Sequence, residues 1–149
     1  MGLDMYLTKE TDVKNWDRLA KKDRYKINAR RGGKLCKHIK SERVSRIMED
    51  VGYWRKANDV HNWLVRNVQN NVDDCGRYHV TEKNLIALRA YCAARLEGFI
   101  TADEVYEYSK TVSITSDCIA SLESARERSE ASSIPFFGDE ITFFYQSSW

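Results

Sequence analysis

The chain opens Met1-Gly2-Leu3-Asp4-Met5-Tyr6-Leu7-Thr8. Leu3, Met5 and Leu7 alternate with Asp4, Tyr6 and Thr8, the period of two that sends successive side chains to opposite faces of a sheet, so a strand is expected almost at the terminus. At the other end, Pro135-Phe136-Phe137, Gly138-Asp139-Glu140 and Ile141-Thr142-Phe143-Phe144-Tyr145 read as a terminal hairpin, aromatic on both arms. Strands at both ends with helical periodicity between them give an α+β class: a small antiparallel or mixed sheet packed by three to five helices. No repeat or linker interrupts the chain, so residues 1–149 are expected to form a single domain.

Working inward, Val13, Trp16 and Leu19 recur at helical spacing and suggest a short helix over Thr11–Lys22. Residues 24–40 alternate on either side of Gly32-Gly33, a hairpin signal because glycine supplies the positive φ that two-residue turns need. Ser41–Val51 fits helix or strand. From Tyr53 to Val68, the residues Tyr53, Ala57, Val60, Leu64 and Val68 form one apolar stripe, which predicts a helix throughout that stretch. Asn70-Asn71-Val72-Asp73-Asp74-Cys75-Gly76 ends it in a turn. Arg77–Val80 reads as a short strand, and Thr81 caps a helix to about Leu96. Thr101 and Glu104 make a capping box for a short helix through Tyr108, and a separate helix is expected over Ser116–Ser129.

Composition sets the class. With 149 residues, 42% hydrophobic and 11% aromatic, the chain can bury a core and is not of the disordered type. The first residues lack a signal-peptide core, and no run reaches the roughly 20 apolar residues of a membrane span. A cytoplasmic protein with no membrane attachment is therefore expected. Cys36, Cys75, Cys92 and Cys118 are isolated, without C-x-x-C pairs, as reduced thiols would be.

The formal charge of +2 conceals a segregation of sign. Residues 18–46 carry +10 and residues 97–149 carry −7. The basic hairpin, about residues 24–40, places Lys26, Arg30, Arg31, Lys34 and Lys37 together, which suits contact with phosphates or with an acidic protein surface. The acidic, helical and aromatic C-terminal part, 97–149, could instead imitate a nucleic acid or pair internally with the basic segment.

Two further constellations stand out. Trp54, Asn58 and His61 share one ridge of the expected helix; with Arg55 they can form a pocket wall for a planar, phosphate-bearing ligand, or simply flank the core. Asp73-Asp74-Cys75-Gly76 with His79 offers carboxylates, a thiol and an imidazole, compatible with a turn, a metal site or a Cys–His nucleophile. The turn is the preferred reading, and no metal or cofactor is expected. The motifs of P-loop, zincin, hydrolase and dinucleotide sites are missing. The closing aromatics, Phe136, Phe137, Phe143, Phe144, Tyr145 and Trp149, suit a core strand, with Trp149 a partner anchor if exposed.

MGLDMYL at 1–7, VGYWRKANDVHNW at 51–63, NNVDDCG at 70–76 and the closing aromatic stretch together resemble a family of small proteins of tailed bacteriophages and prophages. The resemblance covers residues 1–7 and 51–80 well and 97–133 poorly. Tyr53, Trp54, Arg55, Lys56, Asn58, His61, Trp63, Asp73, Asp74, Cys75 and Gly76 carry it, as a shared site or a shared core. It implies a phage accessory protein working in the host cytoplasm, of the kind that blocks host machinery such as CRISPR–Cas defence. The expected partner is then a host protein or protein–nucleic acid complex, engaged through the charged surface, with homodimerisation also open. The alternatives are a nucleotide-binding sponge built on Trp54, Arg55, Asn58, His61 and Asp73 to Cys75, and a small Cys/His-dependent enzyme.

Overall fold

The computed structural model describes residues 2–13, 20–131 and 140–149. Strands β1 (Asp4–Asp12), β4 (Arg46–Arg55), β5 (Tyr78–Val80) and β6 (Glu140–Ser148) form an antiparallel sheet in the order β4-β1-β6-β5. The two terminal strands lie side by side at its centre. β2 (Arg30–Arg31) and β3 (Lys34–Leu35) make a separate small hairpin. Helices α1 (Asn58–Asn67), α2 (Glu82–Leu96) and α3 (Ala102–Glu130) complete the α+β architecture.

Alternation decides the layers. Met5, Leu7, Trp54, Val80, Phe143 and Tyr145 join Val60 and Leu64 of α1, Leu85, Leu88 and Cys92 of α2, and Tyr108, Cys118 and Ile119 of α3 in one buried cluster. All three helices therefore cover the same face of the sheet. The opposite face carries Asp4, Tyr6, Tyr53, Gln146 and His79, the residues that alternate with the core set. Arg77 and Arg46 both pair with Glu10 there, and Arg46 also holds Asp12 at 3.2 Å.

Several sequence expectations need correction. Tyr53 to Arg55 belong to β4, not to a helix: Tyr53 pairs with Tyr6 and Trp54 with Met5, and sheet pairing outweighs the helical spacing of their apolar neighbours. The strand ends at Lys56, whose φ of 58° turns the chain, and α1 begins at Asn58. Thr11 and Asp12 extend β1, where they pair with Ile47 and Arg46, so the helix expected from Thr11 does not start there; positions 14–19 lie outside the described residues. Of Ser41–Val51, the part from Arg46 on is strand.

The two helices expected over 101–129 are one, 29 residues and roughly 44 Å long. No glycine or proline interrupts it. Its hydroxyl-rich middle does not break it either, because Thr111 Oγ1 donates to the Glu107 carbonyl at 2.8 Å and Thr115 Oγ1 to that of Thr111 at 2.7 Å. β6 pairs with β1 and β5; the other arm of the expected terminal hairpin, with Phe136 and Phe137, lies outside the described residues. The expected cap at Thr81 and capping box at Thr101 are both present, and at Thr81 Asn84 reciprocates to complete a box there too.

Candidate functional site

Three places hold the residues singled out above. The first is the basic segment. Gly32 and Gly33 have φ of 57° and 79°, the two positive values of a type I′ turn, and they set Arg31 opposite Lys34 and Arg30 opposite Leu35. Ser41 Oγ accepts from the Ile27 amide at 2.8 Å and donates to the Ile27 carbonyl at 2.7 Å, which ties the base of the arm. Lys26, Arg30, Arg31, Lys34 and Lys37 are all exposed, and among the described residues none has a carboxylate partner. Arg30 Nη1 donates to the Gly33 carbonyl at 3.2 Å. Leu35 and Ile39, also exposed, put apolar surface among the cations.

The second place is the Asp73–Gly76 turn. Cys75 adopts φ of 58°, Asn70 and Asn71 are also left-handed, and Asp74 Oδ1 accepts from the Gly76 amide at 2.8 Å. These are the side-chain-to-backbone bond and left-handed residues of a tight turn. His61, buried on α1, lies 2.7 Å from the Tyr145 hydroxyl through Nδ1 and 3.0 Å from Asp73 Oδ2 through Nε2. A carboxylate only accepts, so Nε2 donates to Asp73, and Nδ1 shares a hydrogen bond with the Tyr145 hydroxyl. Trp149, although exposed, donates its indole N–H to Asp73 Oδ1 at 3.2 Å. Burial works to raise the Asp73 pKa, but the bonds from His61 and Trp149 prevail and hold it below the usual carboxylate value. Burial pushes the Tyr145 phenol upward.

This chain of hydrogen bonds joins α1, the turn and β6. It leaves no nitrogen of His61 to activate Cys75, and His79 packs on Phe144 with ring centroids 5.9 Å apart. Among the described residues, no three His, Cys, Asp or Glu side chains gather as a metal would require.

The third place is a groove of about 270 Å³ where the end of β4 meets the first half of α3. Trp54, Arg55, Lys56 and Ala57 form one wall, and Asp103, Tyr106, Glu107 and Lys110 the other. Trp54 is core: its indole donates to Thr111 Oγ1 at 2.9 Å, and no planar ligand can stack on it. Arg55, its neighbour on the strand, points to the other face and is exposed, 4.0 Å from Asp4. Glu107 Oε1 accepts from the Val60 amide at 3.1 Å and so caps the start of α1.

The expected pocket wall is thus divided. Trp54 and Arg55 line the groove, Asn58 sits exposed on the first turn of α1, and His61 with Asp73 belongs to the turn. The ridge dissolves because Trp54 is on a strand and Asn58 on a helix. Tyr106 and Lys110, missed as site residues, are four apart; reading 101–130 as one helix would have placed them on one ridge.

Comparison with protein-family models, with curated proteins and with solved structures found no match.

Proposed function

We propose that this chain is a non-catalytic binding protein that occupies an anionic surface of a host macromolecule through its basic arm. The observation that carries the reading is the exposure of Lys26, Arg30, Arg31, Lys34 and Lys37 around the Gly32-Gly33 turn, none with a carboxylate partner among the described residues. Like charges held this close repel one another, and an anionic partner relieves that repulsion while releasing counterions. Exposed Leu35 and Ile39 add apolar contact. The phage setting implied by the motifs at 1–7, 51–63 and 70–76 makes the reading concrete: a phage accessory protein in the bacterial cytoplasm that blocks host machinery, counter-defence inhibition included. Among the described residues no helix is long and apolar enough to cross a membrane.

The test is capture of partners from host cells, read by native mass spectrometry, with the wild type and with Arg30→Glu/Arg31→Glu/Lys34→Glu. A stoichiometric partner lost on charge reversal, and lost progressively with salt, supports the reading. The same partner retained by the reversed arm overturns it.

A further inference from the structure

We propose that Tyr6, Tyr53 and Tyr106, with Arg55, Lys56 and Lys110, form a binding surface for single-stranded nucleic acid, the bases stacking on the tyrosines and the phosphates meeting the three cations. The proposal rests on the reading above and names the chemistry of the anionic partner.

The geometry combines three features. Tyr6 and Tyr53 are register partners on β1 and β4, on the face that no described helix covers, with ring centroids 5.4 Å apart. They are 39% and 44% exposed, and Tyr106 on α3 is 68% exposed. Lys110 links them: its Nζ lies 5.8 Å from the Tyr53 ring and 5.7 Å from the Tyr106 ring. Arg55 follows Tyr53 by two residues on the same face, and exposed Lys56 turns the chain into the groove. Isolated exposed tyrosines are ordinary, but a ring pair on the sheet, joined to a third ring through one ammonium and with two further cations beside them, is a stacking platform.

Three carboxylates, Asp4, Glu107 and Asp103, lie beside these three cations and balance them in number. Asp4 accepts the Tyr53 hydroxyl at 2.7 Å, which fixes the ring, and lies 4.0 Å from Arg55. Glu107 is engaged by the Val60 amide. Asp103 sits in the first turn of α3, where it complements the helix dipole.

The form of the surface selects a single strand. A duplex hides the faces of its bases, whereas an unpaired strand offers each base to a ring. Two of the rings stand outside the walls of the groove of about 270 Å³, so the surface is an open face and not an enclosing pocket. The arm joins β4 at Arg46, about 30 Å along the strand from Arg55.

The test is fluorescence anisotropy with a labelled thymidine dodecamer at low salt. The proteins are the wild type, Tyr6→Ala/Tyr53→Ala/Tyr106→Ala, the corresponding triple Phe variant, Tyr106→Ala alone as a surface change that leaves the fold intact, and the reversed arm. Circular dichroism melts accompany each. We expect the wild type to bind with salt-dependent affinity, the triple Ala variant to lose at least about tenfold, the Phe variant to stay near wild type, and Tyr106→Ala to fall between. Ultraviolet crosslinks to the dodecamer should map to these tyrosines. No binding of the dodecamer, wild-type affinity in both Ala variants, or equal binding of a mononucleotide overturns the proposal. If the dodecamer fails while host-protein capture still depends on the arm, the tyrosine surface falls and the binding-arm reading stands with an acidic protein partner. If the dodecamer binds through the tyrosines while arm reversal alters neither binding nor capture, the arm reading falls and the tyrosine surface stands.

Discussion

The Tyr145 hydroxyl and His61 Nδ1 share a hydrogen bond of 2.7 Å in the interior, tying the last strand of the sheet to its first helix. Both residues are buried, so removing either side of the bond strands the other without water. Tyr145→Phe should cost about 1–3 kcal/mol, the penalty for an unsatisfied buried polar group. Urea unfolding measures it, and a loss below about 0.5 kcal/mol would show the bond to be dispensable.

The same chain of bonds predicts a pH effect. His61 and Trp149 hold the Asp73 pKa below its ordinary value against the opposing pull of burial. A carboxylate depressed in the folded state contributes stability that is present above the unfolded pKa of about 3.9 and is lost as pH falls through the lower folded value. Asp73→Asn should therefore flatten the acid limb of a stability–pH curve. Parallel limbs for variant and wild type would exclude Asp73 as its source.

What the sequence made legible follows from how local the cause is. The first strand needed only its own alternation, and the hairpin turn only its two glycines. The cap at Thr81 and the capping box at Thr101 each lie within four residues. The start of α1 was not legible, because its cap comes from Glu107, 47 residues away, and because Trp54 is drawn into β4 by pairing with Met5. The unity of α3 was obscured by Thr111 and Thr115, whose hydroxyls are satisfied by the helix itself. The His61–Asp73 contact joins two residues both marked in the sequence, yet its third member, Tyr145, lies 84 positions from His61. Tyr106 and Lys110 gain meaning only once the sheet edge brings Tyr53 beside them.

Gly52 is required by a close approach. A Cβ added there would stand 2.9 Å from Trp54 Cη2 and 3.1 Å from Ile114 Cγ2. Trp54 is buried and fixed by its bond to Thr111, so it cannot yield as a flexible chain would. Gly52→Ala should destabilise by about 1–3 kcal/mol, the usual penalty of overpacking. A thermal melt equal to wild type would mean that α3 can lift from β4 at little expense.

The four cysteines divide by burial. Cys92 and Cys118 are buried, and burial pushes each thiol up to about 12. Cys36 and Cys75 are half-buried. A thiol reagent should react promptly with two groups in the native protein and with all four in denaturant. A thiol raised on folding stays protonated while its unfolded counterpart ionises, so stability should decline as pH rises from about 8.5 toward 12. Four fast thiols at neutral pH, or a flat alkaline limb, would contradict this.

The arm should matter for binding and hardly at all for stability. Arg30, Arg31 and Lys34 touch no core residue, lack carboxylate partners among the described residues, and sit at an exposed turn. Surface changes of this kind stay within about 0.5 kcal/mol each, and reversing three of them relieves repulsion from Lys26, Lys37 and Lys40. The melting temperature of Arg30→Glu/Arg31→Glu/Lys34→Glu should equal or slightly exceed that of the wild type at low salt, and the difference should vanish as salt screens it beyond about 10 Å at 0.1 M. A large drop in melting temperature would place these side chains in the architecture of the molecule, and a loss of partner capture by that variant would then reflect unfolding and not a lost contact.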